Sequence, residues 1–278
     1  MLVNLNEVLK KAQNEKYAVG LFNTTDTDML QAVIEAAEES NSPVILGTAE
    51  VLLPYGELKL IAPSVIAAAK RAKVPVVVHY DHGLTFDRCI EALKLGFSSV
   101  MFDGSAKPYE ENIAETREMV KIAHAFGATV EGEIGHVGEA AKEDNLLTDM
   151  YTTPEEAKAY LDATGVDALA VAIGSAHGVY KKKPMLNIER LKEISGKVKV
   201  PLVLHGGSGL SDDDFKNTIR NGIAKVNIFT DLCLAGERAM KDGAEKKLGY
   251  LETRNLKVEY IKEAVKHKMA LFGSVNKA

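Results

Sequence analysis

Cysteine is almost missing from this chain of 278 residues, which has two, Cys89 and Cys233. They make neither a metal-binding nor a redox spacing. Both fall in segments that read as helices, so buried thiols in a reducing compartment are expected rather than a disulfide framework. Long apolar runs are lacking too. None reaches the length needed to cross a bilayer. Near Met1 the chain reads NLNEVLKKAQ, polar where a signal peptide would have its apolar core. A soluble, cytoplasmic protein is expected. Excess basic charge is also absent: 34 Lys and Arg stand against 39 Asp and Glu, a net charge of −5. With a pI near 5.9, this argues against a nucleic-acid partner. No Pro/Gly/Ser-rich block divides the chain, so one domain over residues 1–278 is expected. A hydrophobic content of 46% is enough for it to bury a large core.

What the chain has instead is rhythm. Apolar, β-branched stretches alternate with segments of helical spacing. The strand-like stretches are residues 17–22, 43–46, 74–79, 98–102, 128–133, 168–173, 200–205 and 224–229. Helix starts are marked by capping residues: Thr25, Asp26 and Thr27, then Thr85, then Thr153-Pro154-Glu155-Glu156, then Ser211 before three aspartates. A short helix over 4–14 precedes the first strand, and Thr230-Asp231 opens a last long helical region. Such alternation implies a parallel sheet with right-handed crossovers. The predicted fold is α/β, a single (β/α)8 TIM barrel with a long C-terminal helical extension. An open, doubly wound sheet is the structural alternative. Leu251, Val258, Ile261, Val265 and Leu271 on the extension suit either an oligomer interface or packing on the chain's own barrel.

In a barrel all strand exits converge on one mouth. Here they collect Asn23, Thr48, Asp81 with His82, Asp103, Glu131 with Glu133, His177, His205, and Asn227 with Thr230. The plainest exit is VPVVVHYDHG at 74–83, a run of valines emptying into titratable side chains. LAVAIGSAH at 169–177 and PLVLHGGSG at 201–209 end alike, each with a histidine. A lone histidine at a strand end is commonly a hydrogen-bonded loop residue, and a lone Asp or Thr there a helix cap. Three histidines on non-adjacent strands, with acids nearby, are what a catalytic zinc takes, leaving a fourth position open. His79 and His136 are placed to support such a site from behind. His124, inside a helix, and His267, near the chain end, read as surface residues. A second signal is Gly206-Gly207-Ser208-Gly209 beside the exit 227–230. Glycines admit an anion close to backbone N–H groups, and helix N-termini add partial positive charge. Alone, the same run is simply a tight turn.

Several motifs in this order resemble those of the class II, zinc-dependent ketose-bisphosphate aldolases, in the fructose- and tagatose-bisphosphate branch. HYDHG is similar to the family's third-strand signature, SVMFDGS to its fourth and VEGEIGHVG to its fifth. AVAIGSAHGVY and LVLHGGSGL resemble its later zinc strands, and KVNIFTDL its phosphate-binding eighth strand. The likeness runs from YAVGLFN to the C-terminal FGS. It implies that His82, His177 and His205 hold a catalytic zinc and that Asp81 is the general acid/base at the substrate's C4 hydroxyl. Asp103 and Glu133 match positions that hold a second divalent metal in some relatives or buffer the first. Gly178, Gly206, Gly207, Ser208, Asn227, Ile228, Phe229 and Thr230 match the loops around the dihydroxyacetone-phosphate half. A monovalent cation near that phosphate is also implied. The substrate would be a small sugar phosphate, a ketose 1,6-bisphosphate. The expected assembly is a homo-oligomer, dimer or tetramer.

The chemistry agrees. Breaking the C3–C4 bond of a ketose leaves a carbanion beside a carbonyl, and a Lewis acid aimed at that charge lowers the barrier. A carboxylate at the C4 hydroxyl takes the proton. No lysine falls at a strand exit, since Lys225 lies inside the last strand, so Schiff-base chemistry lacks a nucleophile. The polar stretch 135–153 has the length of a lid loop. Glu139 and Glu143 in it are both candidates for proton transfer at the enolate. One departure stands out: relatives carry an Asp-Pro-Arg segment for the distal phosphate, whereas residues 248–260 read LGYLETRNLKVEY. Arg254 or Lys257 would have to substitute, or the substrate is a ketose 1-phosphate. A barrel metal-dependent hydrolase is a reading from another class, but the first strand has no His-x-His. A non-catalytic sugar-phosphate-binding protein would have no need of Asp81 together with all three histidines.

Overall fold

The computed structural model describes residues 1–135, 151–178 and 184–278. A two-residue strand β1 (Leu2–Val3) and helix α1 (Leu5–Glu15) come first. Alternating units follow: β2 (Val19–Asn23), α2 (Thr27–Glu39), β3 (Val44–Ala49), α3 (Leu58–Arg71), β4 (Val76–Gly83), α4 (Phe86–Leu95), β5 (Ser99–Phe102) and α5 (Tyr109–Ala125). The second half holds β6 (Thr129–Ile134), α6 (Pro154–Thr164), β7 (Ala168–Val171), α7 (Ile188–Lys197), β8 (Leu202–Leu204), α8 (Asp212–Arg220) and β9 (Ile223–Ile228). Helices α9 (Thr230–Glu245) and α10 (Tyr250–Phe272) end the chain.

Strands β2 to β9 pair in parallel in the order β4-β3-β2-β9-β8-β7-β6-β5, and β5 pairs back to β4. The sheet is therefore closed, a (β/α)8 barrel with helices between its strands and C-terminal helices added, not an open sheet. Two short elements escape the periodicity of the sequence. β1 pairs with the start of β4, and a 3-10 turn over Glu50–Tyr55 follows β3. Neither is long enough to show a period. The last helical region is broken in two between Glu245 and Tyr250. Val258, Ile261 and Val265 of α10 are buried, and the helix packs on α9 and α2. Leu251 remains 69% exposed.

Side chains on a strand alternate between faces, and each barrel strand uses both. Val76, Val78 and Tyr80 of β4 join the core beneath the helices. Val77 faces inward with Val19, Leu21, Ile45, Ala168, Ala170, Val203 and Ala224, capped by Leu5, Val8, Leu9 and Ala12 of α1. Helix α1 thus stoppers the N-terminal end of the barrel with apolar side chains. Higher up the same inward positions turn polar: His79 then Asp81 on β4, Glu131 then Glu133 on β6, Lys225 then Asn227 on β9. All six are buried. No helix among the described residues is long and apolar enough to cross a membrane.

Candidate active site

Asp81 and His82 are neighbours on β4 and should point to opposite faces. They do not, because His82 takes a left-handed backbone (φ 48°) at a register shift between Tyr80 and Gly83. A non-glycine residue in that region stores about 1–3 kcal/mol of strain and re-aims the chain locally. The result is that both side chains line the mouth of the barrel. The ladder resumes at once, with Asp103 N–H donating to Gly83 O at 2.9 Å.

His82, His177 and His205 come together there. Their ring centroids are 4.5 Å (His82–His205), 5.0 Å (His82–His177) and 5.8 Å (His177–His205) apart. One nitrogen from each lies within 4.8 Å of the others. Outer partners select which nitrogen is left over. Asp103 Oδ2 sits 2.7 Å from His82 Nδ1, and His82 Nε2 is buried without a partner. Glu131 Oε1 sits 2.8 Å from His205 Nε2, which leaves Nδ1 unprotonated, 3.3 Å from Asn227 Nδ2. Carboxylates that hold ligand imidazoles in this way are the usual support of a metal site. Charge points the same way. Burial pushes His177 down to about 4. Burial also opposes the charge on His82, but Asp81 and Asp103 outweigh it and lift that histidine to about 10. The spot His82 faces therefore favours positive charge, and the orphaned nitrogen and imidazole cluster fit a soft-to-borderline cation such as zinc. A second group, His82 with Asp103 and Glu133, has ligand atoms equally close. Glu133 is raised to about 8 by burial and by the charge of Asp103, and its Oε2 has no partner.

Asp81 is 2% exposed and is held at both oxygens. Asn23 Nδ2 donates to Oδ2 at 2.9 Å, and Asn227 Nδ2 donates to Oδ1 at 3.0 Å. Burial raises its pKa, but the charges of His82 and Lys225 prevail and keep it well below the usual carboxylate range. It is an ionised acceptor at neutral pH. His79 lies behind it, fully buried, with Nδ1 2.8 Å from Ser99 Oγ. Burial and the Lys225 charge press it down to about 3, so it is neutral.

The cavity at the mouth is lined by Asp81, His82 and His177 together with Gly178, Gly206, Gly207, Ser208, Asn227, Ile228, Phe229 and Thr230. All eight residues expected around a phosphate share that one cavity. Asp103 and Glu133 stand behind His82 and do not line it. Gly206 has φ +65°, and a Cβ there would run into the backbone of Ala176, so the loop after β8 closes tightly on the loop after β7. Of the two helix starts nearby, only one is open to a ligand. Ser211 and Asp214 close the N-terminus of α8 in a capping box, whereas Phe229 gives α9 no side-chain cap. The unpaired N–H groups of α9 are those free to meet an anion.

The remaining expectations fall elsewhere. Arg254 donates to Asp28 at 2.8 Å and to Gln31 at 2.5 Å, and Lys257 to Asp26 at 2.7 Å. Both cations are engaged with the start of α2. His124 is paired with Asp167 at 2.8 Å, and His267 is exposed. Glu139, Glu143 and His136 lie outside the described residues. The sequence reading underweighted Asn23 and Glu131, which appeared only as strand exits, and assigned no role to Lys225. It also missed Val51 and Leu52, which bring the 3-10 turn onto the cavity wall. The even spacing of Lys225 and Asn227 on one strand was the available signal for the lysine.

The family model described as fructose-bisphosphate aldolase class-II matches residues 3–277. The chain is 41% identical to the fructose-bisphosphate aldolase of Thermus caldophilus over 308 aligned positions, covering 100% of both. A crystal structure of the YdjI aldolase from Escherichia coli K12 superposes with a TM-score of 0.92 at 39% identity, covering 100% of both chains. A crystal structure of the fructose-bisphosphate aldolase of Campylobacter jejuni superposes with a TM-score of 0.86 at 26% identity, over 100% of this chain and 97% of that one.

Proposed function

Because the chain belongs to the class-II fructose-bisphosphate aldolase family and is by that membership an aldolase, a lyase, we propose that it reversibly cleaves a ketose 1,6-bisphosphate of the fructose or tagatose configuration. The products are dihydroxyacetone phosphate and an aldehyde such as glyceraldehyde 3-phosphate. The observation that carries this reading is the meeting of three histidine nitrogens with an ionised, doubly anchored Asp81 beside a glycine-lined anion cradle.

His82, His177 and His205 would hold the zinc. Asp103 and Glu133 are the candidates for a second divalent ion, and the loops near the phosphate for a monovalent one. Bound zinc supplies a Lewis acid for the substrate's carbonyl and neighbouring hydroxyl oxygens as charge develops at C3. Asp81 accepts the C4 hydroxyl proton as the C3–C4 bond breaks and returns it in the reverse direction. Asn23 and Asn227 aim its carboxylate and leave each oxygen a further lone pair for substrate. The loop residues 207–208 and the N–H groups at the start of α9 receive the phosphate at C1. Ala49, Val51 and Leu52 give the cavity an apolar stretch of wall.

A ketose 1-phosphate is the second reading, favoured by Arg254 and Lys257 being engaged with Asp26, Asp28 and Gln31. The test is dihydroxyacetone-phosphate release from fructose 1,6-bisphosphate, tagatose 1,6-bisphosphate and several ketose 1-phosphates, with and without a chelator. Chelator-sensitive cleavage of one bisphosphate is the expected result. Cleavage of the monophosphates alone would move the substrate to the second reading, and no cleavage of any member would sink both.

A further inference from the structure

We propose that Lys225 is a positioning residue that serves both working parts of the site at once, orienting the Asn227 carboxamide toward Asp81 and holding Glu131 against His205. Lys225 reaches the barrel interior because the pairing of β8 with β9 skips Ala224, so that Ala224 and Lys225 both turn inward. Its side chain has no exposure. A buried ammonium without partners is costly, and this one has two: Glu131 Oε2 at 2.9 Å and Asn227 Oδ1 at 2.7 Å.

The first consequence concerns Asn227. An ammonium has donors and no acceptor, so only the oxygen of the carboxamide can face it. The NH2 group is thereby turned to Asp81 Oδ1, 3.0 Å away. The reversed amide would set oxygen against the carboxylate and NH2 against the ammonium, both repulsive. Asn23 offers an internal contrast. It donates to the other oxygen of Asp81 at 2.9 Å, but its own Oδ1 has no partner. Of the two amides that aim Asp81, Asn227 alone is locked from behind.

The second consequence concerns Glu131, which is fully buried. One oxygen takes Lys225, and the other accepts from His205 Nε2 at 2.8 Å. A carboxylate cannot donate, so His205 must carry its proton on Nε2 and present Nδ1 to the mouth of the barrel. Lys225, Glu131 and His205 thus form a relay of position, and Lys225, Asn227 and Asp81 another. Both begin at one charge. Ion-paired with Glu131, the ammonium has no lone pair to offer and is no nucleophile here.

The inference rests on the aldolase reading for its turnover readout, but not for its metal readout. The decisive variant is the pair Lys225→Met with Glu131→Gln, which removes both buried charges and keeps a side-chain oxygen in place for His205. It is expected to melt close to the parent and to retain zinc against a competing chelator. Its kcat should fall about 10–100-fold with KM for the ketose phosphate little changed, because Asn227 has lost its lock. Lys225→Met alone strands Glu131 and should in addition weaken zinc retention about 10–100-fold; if that variant does not fold, the double variant still decides. A double variant with parental kcat would overturn the orienting role, and a folded single variant with parental zinc retention would overturn the hold on His205. Borohydride trapping of the parent with ketose phosphate should leave Lys225 unmodified. An adduct on it would show a nucleophile instead. If the parent cleaves no ketose phosphate, the proposed function fails, while zinc retention still tests the Glu131 arm.

Discussion

At the scale of single residues, Asp81 carries the prediction most exposed to failure. It is buried, ionised, and held by an amide at each oxygen. Asp81→Ala removes the acceptor for the C4 proton without touching a histidine of the cluster. The expected outcome is a fall in kcat of about 10²–10⁴, with zinc content by metal analysis equal to the parent. Parental turnover would remove Asp81 from the chemistry, and loss of zinc would make it a ligand. The left-handed His82 teaches something complementary. Period-two alternation places Asp81 and His82 on opposite faces, and a sequence reading can list both as exits but cannot see the bulge that turns them to one side.

At the scale of elements, the start of α2 joins a cap to an ion pair. Asp26 accepts from Asp28 N at 2.9 Å and Met29 N at 2.8 Å, and Lys257 of α10 reaches its other oxygen. Asp26→Ala is expected to cost about 1 kcal/mol, whereas Asp26→Asn, which still caps, should cost less. The ion pair adds little because the Asp26 side chain is 42% exposed and screened by solvent. Burial opposes the charge on Asp26, but Lys257 and the cap N–H groups prevail and lower its pKa. A lowered folded value means stabilisation that is present above the unfolded carboxylate pKa, about 3.9, and lost as pH falls through the folded one. The gap between parent and Asp26→Asn in urea midpoint should accordingly close on acidification from pH 7. A gap that widened would reverse the sign argued here. Helix α1 offers a second element-scale test. Leu9 is buried with no exposure in the stopper of the barrel, at the end opposite the cavity. Leu9→Ala should cost about 2–5 kcal/mol in denaturant unfolding while leaving kcat unchanged in the folded protein.

At the scale of the whole molecule, the polar upper half of the barrel and the apolar lower half are separable. Chelation should abolish aldol cleavage and leave far-ultraviolet circular dichroism near the parent, because the cores under the helices and above α1 contain none of the proposed ligands. Re-addition of zinc should restore turnover, and unfolding on chelation would instead make the metal structural. Much of this molecule is determined by its sequence alone. Valine-rich strands, capped helices and their eightfold alternation determine a parallel α/β fold, since burial on both faces and crossover connections are properties of pattern, whereas closure is decided by the pairing of β5 with β4. The exits name His82, His177, His205 and Asp81, because every parallel strand delivers its last residues to the same end. The tertiary structure decided the rest, chiefly which groups distant in sequence meet. The sequence places Lys225 inside a strand, two residues from Asn227, whereas closure of the barrel sets it between Glu131 and Asn227. Arg254 and Lys257 stood as free candidates for a phosphate until the packing of α10 on α2 supplied them with Asp26 and Asp28. Spacing along the chain fixes which face a side chain takes, but partners distant in sequence are chosen only when the barrel closes.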